Sequence, residues 1–216
     1  MDINGVPAVV TGGASGLGEA TARYLASKGA KVALFDVQID KAEAVAKEIG
    51  GIAIQCDVTN SESAEQAIAA AREAHGACGI AVNCAGIGSP GRILGRKGPM
   101  SLDFFSKVIQ VNLIGSFNIL RLSAADMQTR EANADGERGV IISTASVAAF
   151  EGQIGQAAYS ASKGGIVAMT LPAARELAQF GVRVLAIAPG LFMTPMMESF
   201  SQEIQDSLAA TLPFPS

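Results

Sequence analysis

The sequence has few of the residues on which metal and disulfide chemistry depend. It contains one histidine, His75, and three cysteines, Cys56, Cys78 and Cys84, without a Cys-x-x-Cys pair. No metal site is therefore expected, since metal sites are usually built from clustered histidines and cysteines. The odd number of cysteines predicts reduced, partly buried thiols rather than a disulfide framework.

Strong charge of one sign and long apolar runs are also missing. Sixteen basic and twenty acidic residues give a net charge of −4, without a block of either sign, so nucleic acid is not an expected partner. The longest apolar stretch, residues 184–197, contains two prolines and is shorter than the roughly 20 residues of a membrane span. With no basic and apolar leader in the sequence, we expect a cytoplasmic protein that does not cross a membrane.

What the chain does contain is the pattern of one α/β domain. Hydrophobic residues make up 49% and charged residues 17%, which excludes disorder, and 216 residues fit one domain better than two. Short β-branched runs alternate with helical patterns, as in a parallel sheet with crossover helices. Strands are predicted at Pro7 to Val10, Lys31 to Phe35, Ile52 to Gln55, Ile80 to Asn83, Gly139 to Ser143 and Val182 to Ala188. Helices are predicted at Leu17 to Gly29, Lys41 to Ile49, Ser61 to Glu73, Leu102 to Arg130 with a break or bend, Ala157 to Phe180 and Pro195 to Leu212. We therefore predict a single Rossmann-like domain, a doubly wound parallel sheet with helices on both faces.

A glycine-rich turn follows the first predicted strand. Ligands of such folds bind beyond the carboxyl ends of the strands. There, TGGASGLG places Gly12, Gly16 and Gly18 before a helical pattern, and Ser15 could add a hydroxyl donor. Glycines allow a sharp turn and close approach to a ligand, while the start of the helix presents free N–H groups to phosphate. The spacing is not Gly-x-Gly-x-x-Gly, so the prediction of a phosphate site depends on its position between strand and helix.

An acidic residue closes the second predicted strand. Asp36 lies 18 residues after Gly18, where dinucleotide-binding folds place the carboxylate that binds the adenosine ribose hydroxyls. A 2′-phosphate would be repelled there, and Phe35, Val37 and Gln38 supply no cation, so NAD is predicted over NADP. Further residues at the same edge follow the third and fourth strands: Asp57, Val58, Asn83, Cys84, Ala85 and Gly86.

The chain has only two tyrosines, and a lysine follows each of them four residues later. This spacing puts both side chains on one face of a helix. Tyr24 and Lys28 lie roughly 15 Å along the first helix from its phosphate-facing start, so their role is predicted to be structural. Tyr159 and Lys163 begin the helix after the fifth strand, at the ligand edge. There we expect the lysine and a nicotinamide cation to lower the pKa of the Tyr159 phenol, which can then take the proton of a substrate alcohol.

Two polar residues are expected to assist this tyrosine. Ser146 lies 13 residues before Tyr159 and is predicted to orient the substrate oxygen. Asn112 is a polar residue in the otherwise apolar segment VNLIG. It either holds a water against Lys163 as a proton path or is a buried, hydrogen-bonded residue with a structural role only.

Six motifs in order, TGGASGLG, Asp36, NCAG, VNLIG, the serine of ISTAS and YSASK, resemble the short-chain dehydrogenase/reductase family along nearly the whole chain. Residues 144–172, APGLFMTP and LPFPS resemble more closely its type II 3-hydroxyacyl-CoA dehydrogenases, also called type 10 17β-hydroxysteroid dehydrogenases. The resemblance implies NAD-dependent oxidation of a secondary alcohol, first of all the 3-hydroxyl of an acyl-CoA, and a homotetramer. Family members continue past LPFPS into a last strand and tail, which this chain is expected to lack.

The resemblance also implies roles for individual residues. Ser146, Tyr159, Lys163 and Asn112 correspond to the catalytic tetrad, and substrate contacts are expected from Ser146, Gln153, Gln156 and Tyr159. With the residues singled out above, the expected NAD contacts are Gly12, Ser15, Gly16, Leu17, Gly18, Asp36, Asp57, Val58, Asn83, Cys84, Gly86, Tyr159, Lys163, Pro189, Gly190, Phe192 and Thr194. Gly164 and Gly165 are costly in a helix interior and are expected at a close helix approach in a subunit interface.

Two alternative functions and one open assignment remain. A 3-oxoacyl carrier-protein reductase using NADPH is disfavoured by Asp36, and a non-catalytic NAD-binding scaffold subunit is disfavoured by the intact tetrad. The subgroup carries an insertion at residues 88–99, here called the cationic loop. Its Arg92, Arg96 and Lys97 either meet the phosphates of coenzyme A or form a solvated surface.

Overall fold

The parallel sheet is the centre of the fold. The structure is a computed structural model that describes residues 1–88, 90–96, 98–198 and 201–210. Its six main strands are all parallel, in the order β3-β2-β1-β4-β7-β8, which confirms the predicted architecture. These strands are β1 (Pro7–Thr11), β2 (Lys31–Asp36), β3 (Ile52–Gln55), β4 (Ile80–Asn83), β7 (Gly139–Thr144) and β8 (Val182–Ile187).

The helices follow the predicted segments with one difference, at the last predicted helix. Those between the strands are α1 (Gly16–Ser27), α2 (Ile39–Ile49), α3 (Ser61–His75), α4 (Leu102–Ile109), α5 (Gly115–Gln128) and α6 (Ala157–Leu177). The expected break in the long fourth helix is a π-helical segment, Gln110–Ile114, between α4 and α5. The single helix predicted at Pro195 to Leu212 is instead two short ones, α7 (Pro195–Glu198) and α8 (Gln202–Ala209), and residues 199–200 and 211–212 of that prediction lie outside the described residues.

Hydrophobic cores lie on both faces of the sheet. Because side chains alternate along a strand, Val9 and Val10 of β1 enter different cores. Val9 packs with residues of α3 and α5 such as Ile68 and Ile119, whereas Val10 packs with residues of α1 and α2 such as Ala22. Burial on both faces explains the nearly continuous apolar strands, as expected for a parallel sheet.

The outer strand β8 is covered on one face only. Val182 and Val184 are buried in the core beside α5 and α6, but Leu185 and Ile187 on the opposite face are 43% and 51% exposed. Apolar strand residues with this exposure mark a surface that the described residues leave uncovered.

One helical run, Leu102–Gln128, is long and apolar enough by composition to cross a membrane. Half of its apolar window is buried inside the domain, and core helices pass the same test. Ile119, Leu120 and Met127 of this run pack against the sheet. The expectation that the chain does not span a membrane stays a prediction.

The cationic loop contains a small hairpin that the sequence analysis did not predict. Its antiparallel strands are β5 (Leu94–Gly95) and β6 (Gly98–Pro99). The main-chain N–H of Gly91 donates to the carbonyl oxygen of Gly155 at 2.8 Å. The cationic loop is thereby attached to the segment directly before α6, at the carboxyl edge of the sheet.

Candidate active site

The glycine turn between β1 and α1 is as tight as its composition suggests. Gly12 and Gly16 have positive φ angles of 65° and 55°, a conformation that favours glycine. A Cβ on Gly12 would lie 2.9 Å from the main-chain nitrogen of Ala85, and one on Gly18 would lie 2.1 Å from the Gly12 oxygen. Ser15 makes no capping bond to α1, so the first N–H groups of the helix face the edge where phosphate is expected.

Asp36 is bound to this turn as well as placed for a ribose. Its Oδ2 accepts a hydrogen bond from the Ala14 N–H at 3.1 Å, and its Oδ1 accepts one from the Gln38 N–H at 2.9 Å. The residue is only 8% exposed. A carboxylate has further lone pairs, so Asp36 can hold the glycine turn and still accept ribose hydroxyls.

Asp57 and Val58 follow β3 at the same edge, with different surroundings. The Asp57 Oδ1 accepts bonds from the Thr59 N–H and hydroxyl at 2.9 and 2.7 Å, and these bonds lower the pKa of the carboxyl. Val58 is buried against α5, where a Cβ on Gly115 would come within 2.5 Å of it. Asp57 is therefore exposed at the edge, whereas Val58 mainly packs against the helix.

The residues after β4 divide between the core and the edge. Asn83 is buried and donates to the Ser143 hydroxyl at 3.2 Å, so its side chain joins β4 to β7. The Thr11 hydroxyl, which the sequence analysis missed, accepts the N–H groups of Cys84 and Ala85 at 3.1 and 3.0 Å. Its signal was available, since Thr11 directly precedes the glycines. Burial raises the pKa of the Cys84 thiol.

Ser146, Tyr159 and Lys163 come together after β7, as predicted. The Ser146 hydroxyl is near enough to the Tyr159 phenol to act on its pKa, and the Lys163 Nζ lies 5.6 Å from the centre of the Tyr159 ring. Lys163 is 5% exposed, and its Nζ donates to the main-chain oxygen of Thr144 at 2.6 Å. A Cβ on Gly86 would lie 3.8 Å from that Nζ, so the glycine leaves room beside the ammonium group.

Burial, rather than the lysine, dominates the acidity of Tyr159. Desolvation raises the pKa of the phenol above its ordinary value, and the hydrogen bond from Ser146 acts in the opposite direction. Burial also lowers the pKa of Lys163 to about 8. In the chain alone the pKa of Tyr159 is therefore raised rather than lowered, because burial disfavours the charged phenolate, and the expected combined effect of Lys163 and a bound nicotinamide cation stays a prediction.

Asn112 has the surroundings of a buried, hydrogen-bonded residue, which was one of the two roles predicted for it. It lies in the π-helical segment and is fully buried. Its Oδ1 accepts the Ile87 N–H at 2.8 Å, and its Nδ2 donates to the Ile87 oxygen at 2.9 Å and to the Ser162 hydroxyl at 3.0 Å. With both side-chain atoms bonded to protein groups, Asn112 joins the segment after β4 to α6.

The segment after β8 reaches the same cleft. The Pro189 oxygen accepts the Val147 N–H at 3.1 Å, which ties it to the residue after Ser146. A Cβ on Gly16 would lie 3.6 Å from the Thr194 side chain. Phe192 is 55% exposed beside them. The expected cofactor residues after β8 therefore border both the glycine turn and the catalytic side chains.

Gln153 and Gln156 lie in the segment directly before α6. The Gln153 N–H donates to the Gln156 Oε1 at 2.9 Å. Gln153 also lines an open groove of about 320 Å³ with α8 residues, among them Glu203 and Ile204. Arg92 and Arg96 of the cationic loop are exposed, and Lys97 lies outside the described residues.

Gly165 of α6 lies at a close contact within the chain, whereas a subunit interface was expected to explain it. A Cβ on Gly165 would lie 2.6 Å from the Leu113 side chain of the same chain. Close packing within the domain therefore accounts for Gly165 without a subunit interface. Gly164 has open space around its Cβ position.

Comparisons with known proteins agree with this geometry. The family model described as short chain dehydrogenase matches residues 7–205. The chain is 50% identical to 3-hydroxyacyl-CoA dehydrogenase type-2 of Homo sapiens over 99% of its own length and 84% of the relative's, and 46% identical to the Drosophila melanogaster protein of that name, covering 99% and 85%. The crystal structure of 3-hydroxyacyl-CoA dehydrogenase type-2 from Mycobacterium avium superposes with a TM-score of 0.91 at 43% identity, over 98% of this chain and 83% of that one.

Proposed function

The chain belongs to the short-chain dehydrogenase/reductase family of nicotinamide-dependent oxidoreductases, and from this premise we propose that it interconverts 3-hydroxyacyl-CoA and 3-oxoacyl-CoA with NAD(H). The observation that carries the proposal is the group of Ser146, Tyr159 and Lys163 after β7, in which Ser146 and Lys163 are buried and Tyr159 is half-buried. The names of the relatives support the substrate class.

The three side chains form a unit for proton transfer. When bound, the oxidised nicotinamide supplies the hydride acceptor and a positive charge that favours the phenolate. The Tyr159 oxygen takes the proton of the substrate hydroxyl, and Ser146, which lies near this phenol, orients the same substrate oxygen. In the reverse direction the raised pKa keeps Tyr159 neutral, as a proton donor to a ketone must be.

The residues around Asp36 support NAD as the preferred cofactor. The glycine turn is tight, since a Cβ on Gly12 or Gly18 would collide with main-chain atoms, and the start of α1, which has no side-chain cap, supports pyrophosphate binding there. Asp36 is held against this turn, and a 2′-phosphate would meet its carboxylate. Leu17, at the start of α1, and the residues after β8 border the remainder of the expected site.

The experiment that tests the function follows NADH formation with 3-hydroxyacyl-CoAs of several chain lengths and with simple secondary alcohols. We expect kcat/KM to be highest with an acyl-CoA, and NAD to be preferred over NADP by about 10²-fold or more because of the charge at Asp36. A preference for NADP would instead identify a reductase of the carrier-protein type. No turnover of any alcohol, with intact NAD binding, would identify a scaffold.

The cationic loop supports binding of coenzyme A phosphates. It is attached to the segment before α6 by the Gly91–Gly155 hydrogen bond, and its arginines are exposed near the cleft. Replacing Arg92, Arg96 and Lys97 together with alanine should raise KM for acyl-CoA by about tenfold and leave KM for an uncharged alcohol unchanged. Equal effects on both substrates would rule the contact out.

We also propose a homotetramer in the cytoplasm. Ile114 and Phe117 of the bent helix and Leu171 of α6 are 42% to 55% exposed. The two helical segments that carry them pack together through Leu113 and Gly165. Such apolar exposure is typical of a surface that another subunit covers.

A further inference from the structure

Ser162 connects two residues of the site but has no role in the chemistry above. It is fully buried in α6, between Tyr159 and Lys163 in the sequence. Its hydroxyl donates to the main-chain oxygen of Tyr159 at 2.7 Å and accepts from the Asn112 Nδ2 at 3.0 Å. One hydroxyl group therefore joins the first turn of the catalytic helix to the π-helical segment.

Asn112 continues this connection to the end of β4. Its amide bonds both main-chain groups of Ile87. The preceding residue, Gly86, is so close that an added Cβ would lie 3.3 Å from the Asn112 Oδ1 and 3.8 Å from the Lys163 Nζ. The chain of hydrogen bonds thus runs from the segment beside the Lys163 ammonium group to the main chain of Tyr159.

The helix itself does not require a serine at this position. Serine has a lower helix propensity than alanine, and a hydroxyl bonded to the preceding turn slightly destabilises or bends a helix. Thr170 of the same helix gives a direct comparison. Within the part of the chain that the structure describes, the Thr170 side chain makes one hydrogen bond, to the Ile166 oxygen at 2.7 Å. Ser162 differs from it by the additional bond to another element.

We propose that Ser162 is a positioning residue, whose hydroxyl holds the start of α6 against Asn112 and so places the Tyr159 phenol against Ser146. The kinetic consequence rests on the proposed function, whereas the placement of the phenol does not. The Lys163 ammonium group lies beside this phenol and also acts on the Cys84 thiol, and replacing Ser162 leaves both groups in the protein.

The composition of the chain permits a direct test. It has two tyrosines and no tryptophan, so in a Tyr24→Phe background Tyr159 is the sole phenol, and the near-ultraviolet absorbance of tyrosinate reports its titration. Loss of the Ser162 hydroxyl, which bonds the Tyr159 main chain and Asn112, should move the Tyr159 phenol away from Ser146, whose hydroxyl acts to lower the pKa of Tyr159. We therefore expect Ser162→Ala to raise the pKa of Tyr159 and the control Thr170→Val to leave it unchanged.

Kinetics provide the second measurement. Ser162→Ala should lower kcat about tenfold, with the dissociation constant of NAD changed by less than about twofold, and Thr170→Val should change neither. Ser162→Cys keeps the size and a weak donor, so it should give intermediate values, and it decides the question if the alanine variant does not fold.

The outcomes are distinct. An unchanged Tyr159 titration in the folded Ser162 variants, or equal kinetic effects of Ser162→Ala and Thr170→Val, would overturn the proposal. Absence of NAD-dependent turnover in the parent protein would contradict the proposed function, whereas the tyrosine titration would still decide the role of Ser162.

Discussion

Two Tyr-Lys pairs in this protein have the same spacing and nearly the same local geometry, yet lie in different environments. The Lys28 Nζ is 5.5 Å from the centre of the Tyr24 ring, and the Lys163 Nζ is 5.6 Å from that of Tyr159. Tyr24, at 63%, and Lys28 are both exposed near the end of α1, whereas Tyr159 is half-buried and Lys163 is 5% exposed at the carboxyl edge of the sheet. The helix sets the distance in both pairs, and the burial that perturbs the pKa values comes from the surrounding fold.

Removing the phenol hydroxyl from each pair should give the largest contrast. Tyr159→Phe eliminates the proton acceptor, so we expect kcat to fall about 10³-fold with NAD binding retained. Tyr24→Phe should leave both unchanged, because its side chain faces solvent. Steady-state kinetics and NAD titration of the two variants measure this, and comparable losses in both would refute the assignment of Tyr159.

Removing the ammonium group should give the next largest contrast. Lys163→Met loses the cation beside the phenol and the bond to the Thr144 oxygen, so we expect kcat/KM to fall about 10²-fold. Lys28→Met, on the exposed pair, is the matched control and should have wild-type kinetics. If Lys163→Met retained wild-type activity, the pair would have no joint role in proton transfer.

The pH dependence sharpens the same comparison. Burial lowers the pKa of Lys163 to about 8, so the buried pair loses one proton as pH rises through this value. The ammonium group that favours the phenolate is therefore lost above about 8, and kcat/KM for alcohol oxidation should show an inflection there, above which the advantage of the parent protein over Lys163→Met disappears. Lys163→Met should lose this inflection. A profile in Lys163→Met identical to that of the parent would assign the inflection to another group.

Much of the site was predictable because the residues that follow parallel strands all lie at the carboxyl edge of the sheet. The glycine turn, Asp36 and the pair of Tyr159 and Lys163 needed only a strand pattern and a spacing. The hairpin in the cationic loop was not predictable, since strands of two residues leave no periodic pattern. The role of Gly165 was not predictable either, because the glycine is required by a contact with Leu113, more than fifty residues earlier in the chain.

The sequence by itself determined which chemical groups this protein possesses and which of them share a helix face or a strand end, since these follow from local periodicity. Only the tertiary structure decided how far each group is withdrawn from water. It made Tyr159 a weaker acid and Lys163 a weaker base than the spacing alone predicted. It also bonded Asn112 to Ile87 and Ser162, which lie 25 and 50 residues away in the chain. Burial and long-range hydrogen bonds depend on every element packed around a group, and no local pattern contains them.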